Sequence, residues 1–393
     1  MNARHLIKTE YCLAILLAGA APSVVVAASV EERLEQLEAA YKGLTAENIS
    51  LRQELERLKA QTTSGAPVTS APSPPSARAE ISPAGKESKL LVGGFIQGQA
   101  EFGDAVDQRF SGVNDRFYLR RARIHLTGSF AEDFDFKIEG DLSGNSLSAG
   151  NNLRASANEV YVNWNRYPAA NLRFGQLKPA FGGEQLASDL STYTIERFLG
   201  SDRLADGRQL GLGAYGTFME KRLGYALTIG NGNGSNSSAN DNDKFLSALR
   251  VYGSVELPHA SHLTGGVNFM HAEDSEIAKL GFGFDSIPGG SLDNLFVGDR
   301  RGWGVDARWA LNRFELAGEL LRTHYEPLNG LPASAIDASG WHLTAAYFLM
   351  PQRLQAILRR ESLDPNRAAR DDRTQSWVAG LNYSIKNDDI RLM

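Results

Sequence analysis

The sequence predicts an all-β transmembrane barrel, 16-stranded and antiparallel, preceded by a signal peptide, an α-helical coiled coil and a linker. Three observations carry this reading. From Leu90 onward, apolar and polar residues alternate with a period of two. The connections between the alternating segments are long and short by turns. The chain opens on a secretory leader.

The leader spans residues 1–28. Arg4 and Lys8 give it a positive start, "YCLAILLAGAAPSVVVA" an apolar core, and Ala27 or Ala28 a small residue for cleavage. The alternative is an N-terminal membrane anchor. Cys12, the one cysteine of the chain, lies inside this segment, so the mature protein has no disulfide and no thiolate metal site. No apolar run of about 20 residues follows, which excludes a spanning helix there. The 393 residues carry a formal net charge of −5 and lack the basic footprint of a nucleic-acid binder.

Residues 29–61 keep a 4-3 apolar spacing. Val30, Leu37, Leu44, Leu51 and Leu58 take one seam position, and Leu34, Tyr41, Asn48 and Leu55 the other. A single amphipathic helix packed on the barrel is the weaker reading, because a 3.5-residue period drifts off one face of a straight helix. A self-associating coiled coil is expected, with Asn48 fixing register and strand number. Residues 62–89, rich in Pro, Ser, Ala and Thr, read as a linker.

The barrel is assigned to residues 90–393. In "DFDFKIEGD", Phe134, Phe136 and Ile138 share one face, and Asp135, Lys137, Glu139 and Asp141 the other. Strands are expected at 90–102, 116–131, 133–143, 157–165, 170–177, 208–218, 221–229, 245–257, 263–272, 301–311, 313–323, 340–350, 352–361 and 374–384, with a fifteenth from Asn387. Residues 184–199 read as loop. The long connections lie at 103–115, 144–156, 178–207, 230–244, 273–300, 324–339 and 362–373, and turns of a few residues separate them. A soluble sandwich has no reason to keep its two loop ends unequal; a barrel with outer loops and periplasmic turns does. Phe117, Phe130, Trp164, Phe218, Trp303, Trp309, Trp341, Tyr347, Trp377 and Tyr383 fall near strand ends, as interface girdles do. An even strand count returns the C-terminus to the periplasm. The chain stops at Met393 within strand fifteen, so its last one to two strands are expected to be missing from this sequence.

"FYLRRARIHLTGSFAEDFDFKIEGD" and "LRFGQLKPAFGGEQLASDLSTYTIERFLGSDRLADGRQLGLGAYG" make the chain resemble the phosphate-selective porin O/P family. The carriers are Gly-Gln-x-Lys-x-x-Phe-Gly at 175–182, Ile-Glu-Arg at 195–197 and Asp-Gly-Arg-Gln-Leu-Gly at 206–211. The resemblance covers residues 90–393. It implies a 16-stranded trimeric porin of a Gram-negative-type outer membrane, with the third long loop folded into the lumen and the coiled coil in the periplasm.

On that fold, Arg121, Arg123, His125, Arg173, Arg250 and Arg308 take the lumenal parity, and the third loop adds Lys178, Arg197, Arg203 and Arg208. Guanidinium groups replace part of an anion's hydration. Asp135, Glu139, Asp141, Glu159, Asp306, Glu315 and Glu319 share the parity and temper the preference. Tyr118, Ala122, Ile124 and Leu126 are expected to face lipid. Arg120 falls on their parity, and is placed at the outer interface with its guanidinium among headgroups.

No motif supports catalysis, a cofactor or a metal. "PHASH" at 258–262 reads as a solvated turn, "GNGNGS" at 230–235 is no phosphate loop, and "NDNDK" at 240–244 is a polar loop. The expected role is an outer-membrane porin passing small hydrophilic solutes or anions such as phosphate. The alternative is a structural tether acting through the coiled coil. The expected partners are outer-membrane lipid and further copies of the chain, with no nucleic acid.

Overall fold

The computed structural model describes residues 79–81, 89–102, 115–143, 155–277, 296–328, 335–385 and 390–393. The leader, the coiled-coil seam and most of the linker lie outside the described residues.

One antiparallel sheet of 16 strands runs in strict sequence order. Its strands are β1 (Ala79–Ile81), β2 (Lys89–Glu101), β3 (Arg116–Phe130), β4 (Phe134–Asp141), β5 (Ser156–Tyr167), β6 (Ala170–Leu177), β7 (Gln209–Phe218), β8 (Leu223–Gly230), β9 (Leu246–Leu257), β10 (Ser261–Ile277), β11 (Phe296–Leu311), β12 (Phe314–Pro327), β13 (Ile336–Met350), β14 (Leu354–Asp364), β15 (Thr374–Ser384) and β16 (Arg391–Leu392). The alternation that predicts these strands is what produces them. Each apolar set faces outward and each polar set inward, so the sheet is hydrophobic where a soluble sheet would be wet. Ile96, Phe117, Ile124, Val251, Val305, Trp341 and Trp377 are exposed on the outer face. Aromatic pairs band the turn end of that face: Phe130 stacks on Phe134 at 5.4 Å, Phe218 on Tyr225 at 5.9 Å, and Trp309 meets Phe314 at 6.1 Å. Among the described residues no helix is long and apolar enough to cross a membrane.

The short turns close with residues in the left-handed region: Ala131 and Glu132, His259 and Ala260, Asn312, and Gln352. Such tight hairpins fix the register of each strand pair.

Four expectations need correction. The segment read as linker contributes β1, which pairs with β2 at Glu80 and Leu91. Residues 184–199 are not wholly loop, because two short helices form there, α1 (Gly183–Leu186) and α2 (Leu199–Leu204). Strands β10 and β11 extend toward the outer end beyond the expected limits, and His262 belongs to β10 rather than to the turn.

The fourth correction concerns Arg120 and Tyr118. Gln97 pairs with Arg121, while Gly98 pairs with Leu119. Arg120 is therefore the extra residue of a β-bulge, and the parity of β3 changes across it. Tyr118 turns inward and its hydroxyl donates to Glu101 at 2.5 Å. Arg120 also turns inward, giving Glu196 two hydrogen bonds of 2.5 and 2.7 Å. A bulge lets consecutive arginines share the wet face, so neither Arg120 nor Arg121 is turned toward lipid.

Beyond the bulge the expected parity holds, and Ile124 is 55% exposed on the outer face near mid-strand. Ile124→Arg is expected to destabilise the folded barrel by about 2–4 kcal/mol. Urea titration of protein refolded into vesicles measures this, and a wild-type midpoint would show that Ile124 does not face lipid.

Candidate functional site: the lumen and its constriction loop

Residues 178–208 leave β6 and return to β7 through the interior of the sheet. Their route is set by backbone donors that find wall acceptors. The Ala180 amide donates to Thr228 of β8, and the Gly182 amide to Asn268 of β10, both at 2.9 Å. The Gly183 and Glu184 amides donate to the Glu319 carboxylate of β12 at 2.5 and 3.0 Å. Gly182 sits at φ 83°, a conformation that a side chain would strain.

Apolar burial fixes the rest. Phe181, Phe198, Leu199 and Leu204 of the loop pack with Met270, Phe296, Leu321, Tyr325, Ile336 and Ala338. This is the hydrophobic core of the protein, and it lies inside the barrel between loop and wall. Helix α2 approaches β13 so closely that a Cβ on Gly340 would stand 2.7 Å from the Gly200 Cα. Glycine at both positions permits the contact.

Ion pairs pin the loop elsewhere. Asp189 lies among three guanidinium groups: Arg197 at 2.8 Å, Arg121 at 3.4 Å, and Arg123, which also bonds it directly. Arg359 of β14 holds Glu184 at 2.5 Å. Arg300 of β11 bridges Asp206 at the loop's end, at 2.9 Å, and Asp274 of β10, at 2.6 Å. Lower in the lumen, the Tyr193 hydroxyl donates to Glu315 at 2.5 Å, and Asn382 of β15 donates to the Tyr193 carbonyl at 2.9 Å. Arg391 of β16 donates to the Leu190 carbonyl at 2.6 Å, so one loop touches β3, β8 and β10–β16, and the sheet curls around it.

Burial pushes the Lys178 ammonium down to about 7, and Arg197 and Arg208 push the same way against Asp189 and Glu159. Its Nζ donates to the Gln185 and Ala187 carbonyls at 2.7 and 3.2 Å. Burial works to raise the Asp189 carboxyl, but Arg197, Arg121 and Arg123 outweigh it and hold the group well below the usual carboxylate range.

This is a transmembrane barrel narrowed by its own third loop. The family model "Phosphate-selective porin O and P" matches residues 93–273 and 290–393. The chain belongs to this family. It is similar to Porin O of Pseudomonas aeruginosa, 26% identical over 338 residues that cover 79% of this chain and 75% of the relative. The barrel fold is shared with an anion-selective porin from Comamonas acidovorans, at TM-score 0.52 and 15% identity, covering 76% of this chain and 85% of that one. It is shared too with Salmonella typhi OmpF in complex with daunomycin, at TM-score 0.51 and 11% identity, covering 78% and 89%. The protein is an outer-membrane porin, a channel for solutes.

Of the residues nominated from sequence, this porin gathers Arg121, Arg123 and Arg197 around Asp189, with Lys178 and Arg208 beside them. Arg208 reaches Glu159 at 3.9 Å, and Lys137 joins the same carboxylate at 2.8 Å. The other nominees stand apart. Arg173 lies between the rings of Tyr161 and Tyr215, 3.9 and 4.6 Å from their centres. Arg250 pairs with Asp306, and Arg308 with Glu315. Arg203 lies in the last turn of α2, the helix that rests on β13.

Sequence reading missed Arg120, Arg300 and Arg359, and the loop carboxylates Glu184, Asp189, Glu196 and Asp206. Arg359 was visible, since it alternates in phase with Glu361 on β14. Arg300 was hidden because β11 starts earlier than its alternation suggests. Arg120 was hidden by the bulge.

Proposed function

We propose that this porin lets small hydrophilic solutes diffuse passively with a mild preference for anions. In this reading it works as a homotrimer, with the coiled coil of residues 29–61 in the periplasm. The charge balance at the constriction carries the proposal. Arg120, Arg121, Arg123, Lys137, Lys178, Arg197 and Arg208 outnumber Glu139, Asp141, Glu159, Asp189 and Glu196. A net positive narrow attracts anions. Yet Arg121, Arg123 and Arg197 already share Asp189, which leaves fewer donors to strip phosphate of its water. The names of the family and of the Comamonas porin agree with an anion preference. The heptads and the family likeness support the trimer.

Planar-bilayer recordings in a salt gradient test the reading. The reversal potential is expected to have the sign of anion preference, and added phosphate to block chloride current only weakly. A cation-selective reversal potential would sink it. A pH dependence follows from Lys178, which is protonated below about 7 and neutral above. Raising the pH through that value removes positive charge, so the anion preference is expected to fall. Lys178→Met should abolish that step; an unchanged step in the variant would assign it to another group.

A further inference from the structure

Glu184 of α1, Glu319 of β12 and His342 of β13 bring one donor atom each to within 4.8 Å of one another. Glu319 and His342 are direct partners across two strands, and the loop delivers Glu184 to them. Glu319 is 4% exposed and His342 6%.

Each side chain is held by an outer partner that leaves a donor atom for the shared space. His342 meets the Thr344 hydroxyl through Nδ1 at 3.1 Å, which leaves Nε2. The Glu319 oxygens accept the Gly183 and Glu184 amides, and each retains a lone pair. Glu184 is oriented by the Phe198 amide at 2.8 Å and by Arg359. Metal-ligating histidines and carboxylates are held by outer partners in this way.

The charges nearby do not balance. Asp306 is taken by Arg250, and Arg359 serves both Glu184 and Glu361. Glu319 has no cation within ion-pair distance among the described residues; its partners are two amides. A buried carboxylate without a cation is costly.

We propose that Glu184, Glu319 and His342 form a divalent-cation site of the zinc type that fastens the constriction loop to the barrel wall. One nitrogen and two carboxylate oxygens are a zinc donor set, with the fourth position open to lumenal water. Ligand atoms around a tetrahedral zinc stand about 3.4 Å apart, so the three side chains close in by roughly 1 Å. The sequence reading expects no metal here, because donors at 184, 319 and 342 have no motif spacing.

Calorimetric titration of zinc chloride into the full chain, refolded in detergent and stripped with a chelator, tests the site. One zinc per chain is expected, at least tenfold weaker in Glu319→Gln and His342→Ala. Thr344→Val, which keeps all three ligands, is expected to weaken it by about tenfold. Circular dichroism confirms the barrel in each variant, and Thr344→Val decides if the ligand variants do not fold. No zinc uptake by the wild type, or equal uptake by wild type and variants, overturns the proposal. A proton shared by Glu319 and His342 would then balance the charge. Calorimetry reads binding without conduction, so its failure leaves the porin reading untouched.

Discussion

Asp189→Asn is expected to convert a mildly anion-preferring channel into a strongly anion-selective one. The Asp189 side chain is 3% exposed and is the common partner of Arg121, Arg123 and Arg197. The amide keeps its shape and removes its charge. The three guanidinium groups then lose the carboxylate they share, Arg121 keeping Glu196 and Arg123 keeping Asp141, and their mutual repulsion turns them toward the lumen. A unit charge about 4 Å away is worth about 4 kcal/mol at the effective dielectric of a protein surface, less in salt. A modest part of that suffices. If phosphate takes the place of the carboxylate, the concentration that halves chloride current falls by about tenfold for each 1.4 kcal/mol regained. Acidification should not reproduce the effect, because the same guanidinium groups keep Asp189 ionised. Bilayer reversal potentials and phosphate titration measure both outcomes. An unchanged reversal potential, or a shift toward cations, would show that Asp189 does not set the charge of the narrow.

Most of the barrel was legible in the sequence because one physical rule writes it. Lipid demands an apolar residue at every second position, and Phe134, Phe136 and Ile138 of β4 obey that rule. The rule fails where the backbone breaks the period. At Arg120 the bulge moves the parity by one, and nothing in "FYLRRAR" marks the extra residue. A second shift lies between Ile138 and Gly140 against β5, where Asn158 and Glu159 both reach inward, one to Glu139 and the other to Lys137. The rule also fails where the lumen is dry. Leu321, Tyr325, Ile336 and Ala338 are apolar on the inner face, because the loop covers them. Alternation alone reads such strands as buried on both sides. Loop partners were the least legible of all. Arg359 meets Glu184 across 175 positions of sequence, and only the folded wall sets that distance.

Arg300→Ala is expected to be the most destabilising single change in the lumen. The Arg300 side chain is 1% exposed, Asp206 0% and Asp274 1%, so the triad is sealed from water. Removing the guanidinium leaves two carboxylates buried side by side without the charge that bridges them, a cost of about 3–5 kcal/mol. The test of mechanism is the triple variant Arg300→Met, Asp206→Ala, Asp274→Ala. It removes all three charges, and the neighbours Met270 and Phe296 are already apolar. The charge argument therefore expects the triple variant to recover most of the loss, since apolar replacement of a buried ionic triad is often neutral or stabilising. Denaturant unfolding in vesicles, followed by tryptophan fluorescence, compares the two. Arg300→Ala within about 1 kcal/mol of wild type would mean that water reaches the site. A triple variant weaker than the single one would mean that the triad holds by shape rather than by charge. Conductance is expected to change alike in both variants. Asp206 ties down the end of the constriction loop, so both variants lose that tie. Both should conduct more than wild type, and only the single one should be unstable.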